Sequence, residues 1–115
     1  MTQENPYDIA HQLAKAITGN EIYKEYINAK NQVEQKPELK QKIIGFRAKQ
    51  LKLNQQHFIG AEVPAELVNE VSREFAELNT KAAIAEFFQA EAKFVQLFND
   101  IQEIIQKAVQ DGFHE

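Results

Sequence analysis

The chain reads as an all-α protein, an antiparallel helical bundle of about five helices with a long C-terminal helix. Two observations predict it. Only four Gly and three Pro interrupt 115 residues, and breakers that scarce favour long helices over sheets. The apolar residues recur at helical spacing, and no stretch alternates with period two for long enough to make a strand.

The elements follow in order. Asn5-Pro6-Tyr7-Asp8 has the form of a helix start, with Asn5 as cap and Pro6 in the first turn, where its missing N–H has no helical partner to lose. Ile9, Leu13, Ala16 and Ile17 then share a face until Gly19. Asn20 caps a second helix striped by Tyr23, Tyr26, Ile27, Ala29 and Val33. Pro37 breaks that run, because a residue before proline is pushed out of helical geometry. A third helix restarts there and reaches about His57.

The third helix carries two adjacent apolar seams. One is Leu39, Ile43, Phe46 and Leu53, interrupted by Gln50; the other is Ile44, Ala48, Leu51 and Phe58. A helix with two seams is expected to touch two neighbours. Phe58 to Pro64 is the clearest turn. Leu67, Val71, Phe75 and Leu78 stripe a fourth helix, and Asn79-Thr80 can cap a fifth, one bent continuous helix being the alternative. The fifth runs through Ile84, Phe87, Phe88, Phe94, Val95, Phe98, Ile101, Ile105 and Val109 to an expected stop near Gly112.

Length and composition set bounds. A chain of 13.2 kDa is expected to form one domain over residues 1–115, burying about two thirds of its surface if compact. With no Cys, disulfides, thiolate nucleophiles and Cys-held zinc or iron–sulfur clusters are excluded. Met1 to Pro6 has no basic, apolar leader pattern, and no apolar run is long enough to span a bilayer. The expected location is cytoplasmic, with no membrane partner.

The net charge of −4 is unevenly spread. Residues 36–52 carry Lys36, Lys40, Lys42, Arg47, Lys49 and Lys52 against Glu38 alone, whereas 62–77 carry five Glu against Arg73. These are the two helices joined by the Gly60–Pro64 turn, so an antiparallel hairpin sets opposite charges side by side. The basic surface Lys40, Lys42, Arg47, Lys49 and Lys52 has a second reading as a nucleic-acid footprint. The acidic partner helix, the acidic net charge and the lack of interleaved aromatics weigh against it.

No catalytic, cofactor or metal site is expected. Asp8/His11 and Asp111/His114 have ligand-like spacing, but Asp8 is accounted for by capping and the second pair lies at a terminus. His57, near a helix C-terminus, suits the helix dipole there. Glu86 and Glu91 lie five apart and point to different faces, so they do not form an acid–base pair. The fifth helix is the strongest remaining feature. From Thr80 to Gln110 it would span about 46 Å, against roughly 35 Å for a compact chain of this size. The overhang makes Phe94, Phe98, Ile101, Ile104, Ile105 and Val109 a candidate oligomer interface, with a twofold dimer the simplest closed arrangement.

In order and spacing the chain resembles the YlbF/YmcA/YheA group of small helical bacterial proteins, in its YheA-like (UPF0342-type) branch. The resemblance runs from Tyr7-Asp8-Ile9-Ala10 through Gly19 and Pro37-Glu38-Leu39. It continues over Phe46 to Gln56, Gly60 and Glu62, and ends with Ala90-Glu91 and Ile104-Ile105. Lys36 departs from it, standing where relatives tend to have a better capping residue. The resemblance implies long antiparallel helices, a cytoplasmic location and frequent dimerisation. It also implies non-enzymatic action, since members of the wider group belong to a multiprotein complex affecting RNA processing and developmental programmes. Some hold an iron–sulfur cluster through Cys, a role this Cys-free chain cannot share. The expected function is therefore that of a cytoplasmic interaction or regulatory protein, a homo-oligomer that binds itself and other cytoplasmic proteins. An RNA-associated factor using the basic third helix is the alternative.

Overall fold

The computed structural model describes residues 4–113 and holds five helices, with no strand among those residues: α1 Pro6–Thr18, α2 Glu21–Glu34, α3 Pro37–Phe58, α4 Ala65–Leu78 and α5 Ala82–Phe113. The chain divides into two compact units, Met1–Asn28 with Gln89–Glu115, and Ala29–Phe88. The pair Asp111/His114 lies partly outside the described residues.

Local chemistry sets most boundaries. Asn5 Oδ1 accepts the Tyr7 N–H at 2.9 Å, and Asn20 Oδ1 accepts the Ile22 N–H at 2.9 Å, each satisfying an amide that the first helical turn leaves unpaired. Gly19 ends α1 without a left-handed turn: its φ is −86°, and its N–H donates to Lys15 O at 2.9 Å. Lys36 precedes Pro37 and makes no side-chain cap.

The α3–α4 turn is closed by two backbone bonds. Gly60 N–H donates to His57 O (3.1 Å) and Ala61 N–H to Gln56 O (3.0 Å), the paired bonds of a Schellman ending. The motif needs a left-handed residue, supplied by Gly60 at φ +76°.

One expected cap is corrected. Asn79 and Thr80 do not cap α5; they bond backward, Asn79 Nδ2 to Phe75 O at 2.8 Å and Thr80 Oγ1 to Glu77 O at 2.6 Å. Both add a second donor to carbonyls at the end of α4 that already accept the Asn79 and Thr80 backbone N–H groups, and α4 and α5 are two helices separated at 79–81 rather than one bent helix. Among the described residues α5 ends at Phe113, near Gly112 as expected, although Gly112 itself lies within the helix. A glycine terminates a helix when it turns left-handed, and Gly112 does not (Gly60 is the one positive-φ residue among those described). The 32 residues of α5 make it about 48 Å long.

The buried side chains among the described residues all belong to Ala29–Phe88: Ala29 and Val33 of α2, Ile43 and Phe46 of α3, Val71 and Leu78 of α4, and Ile84 and Phe87 of α5. Ile84 is fully enclosed. Phe46 lies 6.0 Å from Phe75 and 6.1 Å from Phe88 between ring centres, and Phe75 stacks on Phe88 at 5.8 Å. These spacings are those of favourable offset aromatic contacts.

The expectation of two occupied seams on α3 is met only in part. The helix does meet two neighbours, α4 and the start of α5, but through one seam. Leu39 and Leu53 are half-buried and Ile43 and Phe46 buried, whereas Ile44, Ala48, Leu51 and Phe58 of the second seam are all exposed. Four apolar residues at the right period do not bring a covering surface with them.

Two substitutions test this packing. Ile84→Ala should lower unfolding free energy by about 2–5 kcal/mol in urea titration, because it opens a cavity with no route to solvent. Gly45→Ala should raise it by roughly 0.5–1 kcal/mol: Gly45 lies inside α3, and a Cβ there meets nothing within 4 Å.

Candidate functional site

The unit formed by Met1–Asn28 and Gln89–Glu115 is rich in apolar residues, yet none of its described residues is buried. Its best-covered feature is a small aromatic cluster. Tyr26 of α2 stacks on Phe94 of α5 at 5.2 Å with planes 9° apart, and Tyr23 meets the same ring edge-on at 5.4 Å. The sequence put these three rings on apolar stripes but not against one another, since only tertiary packing pairs residues some seventy positions apart.

Beyond Phe94, α5 runs out of cover. Phe98 sits 6.3 Å from Phe94 and is 43% exposed; Ile101 is half-buried; Ile105 is 51% and Ile104 69% exposed, and Val109 43%. Phe94, Phe98, Ile101, Ile105, Ala108 and Gly112 follow one another at steps of four, three, four, three and four, the spacing of an inter-helix seam. Flanking it are Val95, Leu97, Gln102, Ile104, Val109 and Asp111, so the one flanking charge lies at its C-terminal end. On the same unit, Tyr7 (79%) and Ile9 (41%) of α1 are also exposed. Of the interface residues expected from sequence, Phe94 is thus largely occupied by the two tyrosines, and the other five carry free apolar surface.

The basic residues of α3 are not equivalent. Lys49 lies over α4, its Nζ 2.7 Å from Glu70 Oε1 and bonded also to Glu74. The opposite charges read from the sequence therefore meet at one lysine and two glutamates one helical turn apart. Arg47 sits over the Phe87 ring, 5.4 Å from its centre, a cation–π contact. Lys40, Lys42 and Lys52 are exposed.

Among the described residues no helix is long and apolar enough to cross a membrane, and no group of three His, Cys, Asp or Glu is placed to hold a metal ion. Asp8, His11 and His57 are exposed, as is Glu86, while Glu91 is half-buried.

These features define an all-helical protein whose distinguishing surfaces are uncovered helix faces rather than a cleft. The chain belongs to the family described as "Control of competence regulator ComK, YlbF/YmcA", which matches residues 7–110. It is 32% identical over 105 residues to a UPF0342 protein of Caldicellulosiruptor saccharolyticus, covering 91% of this chain and 88% of that one. It is 32% identical over 107 residues to UPF0342 protein SH1117 of Staphylococcus haemolyticus, covering 93% and 94%. UPF0342 protein YheA of Bacillus subtilis is 27% identical over 107 residues, covering 93% and 92%. The same fold occurs in a solved protein of unknown function (DUF964) from Bacillus stearothermophilus, with a TM-score of 0.80 and 19% identity over 94% of this chain and 95% of that one.

The Lys49 bridge has a definite pH signature. Hydrogen bonds donated to Glu70 first, and to Glu74 second, raise the Lys49 pKa above its ordinary 10.5. The bond from Lys49 lowers the Glu70 pKa below its ordinary 4.5. Stability from the Glu70 shift is present above pH 4.5 and is lost as pH falls through the lowered value. Stability from the Lys49 shift is present below pH 10.5 and is lost as pH rises through the raised value. Between those limits the contribution is flat. Lys49→Met should lower the urea midpoint modestly at pH 7, and the difference from the parent should shrink below pH 4.5. A difference that persists undiminished at pH 2 would assign the effect to the packed lysine stem instead.

Proposed function

We propose that this protein is a non-enzymatic regulatory adaptor of the cytoplasm that acts as a homodimer through α5. The observation that carries the reading is the unit of Met1–Asn28 and Gln89–Glu115, which has Phe98, Ile101, Ile104, Ile105 and Val109 on one helix and no buried residue among those described. Apolar surface at roughly 25 cal/mol per Å² gains nothing until it leaves water, and a second copy is a partner always available. The α5 seam suits self-pairing because its flanks carry a single charge, Asp111 at the C-terminal end, so two copies meet with little like-charge repulsion.

Size bounds the arrangement. The seam from Phe94 to Gly112 is about 27 Å long and a helix about 10 Å wide, so α5 alone offers roughly 270 Å², short of the ~800 Å² per partner of a standard interface. The α5 seam is therefore only part of the interface, and Tyr7 and Ile9, the exposed large apolar residues of α1, are candidates to extend it. The family description, control of a competence regulator, supports a regulatory role exercised through protein contacts.

Light scattering across a concentration series should give about twice 13.2 kDa at micromolar concentration. Ile105→Glu should reduce it to the single-chain mass, because dimerisation would bury two unpaired carboxylates. A strictly monomeric mass for the parent chain would sink the proposal.

A further inference from the structure

The second seam of α3 is left over once the fold and the α5 pairing are accounted for. Ile44, Ala48, Leu51, Gln55 and Phe58 are spaced four, three, four and three, a regular inter-helix seam about 21 Å long. Its anchors are free: Ile44 is 49% exposed, Leu51 58% and Phe58 90%. The opposite side of the same helix is spent on Ile43, Phe46 and the Lys49 bridge to α4. Scattered apolar side chains on a surface are ordinary, but a row at this period is a docking face.

Charge decides what fits it. The flanking positions of the seam carry Lys40, Arg47 and Lys52, and α3 has no acidic residue after Glu38. Two copies of this seam in parallel would set Arg47 of each against Lys52 of the other, and an antiparallel pair would find no acid on either flank. Like charges at these positions oppose pairing. The α5 seam of a second copy offers a single carboxylate in its flanks, Asp111 at its far end, beside Val95, Leu97, Gln102, Ile104 and Val109, too few to match Lys40, Arg47 and Lys52. The acidic helix of this chain, α4, already spends Glu70 and Glu74 on Lys49. Of its exposed large apolar residues, Phe75 is already packed on Phe46 and Phe88, and Val68 alone is too short a stripe to match the seam.

We infer that the Ile44–Phe58 face of α3 docks an amphipathic helix of another protein, one with aliphatic residues at seam spacing and Glu or Asp beside them. Ile44, Leu51 and Phe58 pack into the apolar stripe of that helix, and Lys40 and Lys52 meet its carboxylates at the rim. Helix-on-helix recognition of this kind takes its affinity from the apolar anchors and its choice of partner from the flanking charges. The inference rests on the interaction-protein reading above and is independent of the α5 dimer.

The test uses the full chain and three labelled 21-residue helical peptides with Leu at the seam positions and Glu, Gln or Lys at all flanking positions, read by fluorescence anisotropy. The Glu peptide should bind about fivefold more tightly than the Gln peptide, the size that two exposed ion pairs, at Lys40 and Lys52, together supply. That advantage should fade in high salt, and the Lys peptide should be the weakest of the three. Leu51→Glu and Ile44→Glu should each weaken Glu-peptide binding at least about tenfold while leaving the circular dichroism spectrum and thermal midpoint unchanged, since both sites are already exposed. Ile105→Glu should leave peptide binding intact even where it dissolves the dimer, which separates failure of this inference from failure of the α5 pairing. Equal binding of the Glu and Lys peptides, or full binding by Leu51→Glu, would overturn it. So would tighter binding of single-stranded RNA or phosphatidylserine vesicles than of the Glu peptide, because either would give the basic face a polyanion rather than a helix.

Discussion

An apolar helix face stabilises a protein only where another surface takes it out of water, and this chain has more such face than its own elements cover. On α5, Ile84 and Phe87 are buried, Phe94 is sheltered by two tyrosine rings, and from Phe98 onward the stripe is open. On α3 one seam is filled and its neighbour, one residue further round, is not. The consequences for folding and for association both come from this mismatch. Residues Ala29–Phe88 close on a core of their own, whereas the unit holding most of α5 has no buried residue among those described.

The two uncovered seams differ in what they exclude. The α5 seam is broad and carries one flanking charge, Asp111, so little opposes a copy of itself. The α3 seam is narrower and basic on its flanks, which opposes a copy of itself. Under the two proposals above, the first seam joins a second copy of the chain and the other a different partner. Charge also orders the interior of the α3–α4 hairpin. Lys49 bridges two glutamates there, which ties the hairpin together, and Lys40 and Lys42 stay exposed.

Much of the architecture was readable along the chain because its causes are local. Asn5 and Asn20 cap helices through amides two residues away, Pro37 forbids helical geometry in the residue before it, and Gly60 alone among those described takes the left-handed turn that closes α3. Each acts within about one helical turn. The error came where a residue type has two local uses. Asn79 and Thr80 are good caps, but they bond the carbonyls behind them rather than the amides ahead. The end of α5 falls near Gly112 as expected, although a glycine with right-handed φ is merely a weak helix residue.

By itself, then, the sequence determined the helical class, the number and approximate bounds of the helices, and the opposite charges of α3 and α4, because spacing, breakers and charge are written in neighbouring residues. Only the tertiary structure decided which apolar seams are covered. It seated Tyr23 and Tyr26 on Phe94, Arg47 on Phe87 and Lys49 between Glu70 and Glu74, and left Ile44, Leu51 and Phe58 bare. Coverage belongs to pairs of surfaces distant in the chain, and the apolar period of a helix is the same whether or not anything packs against it.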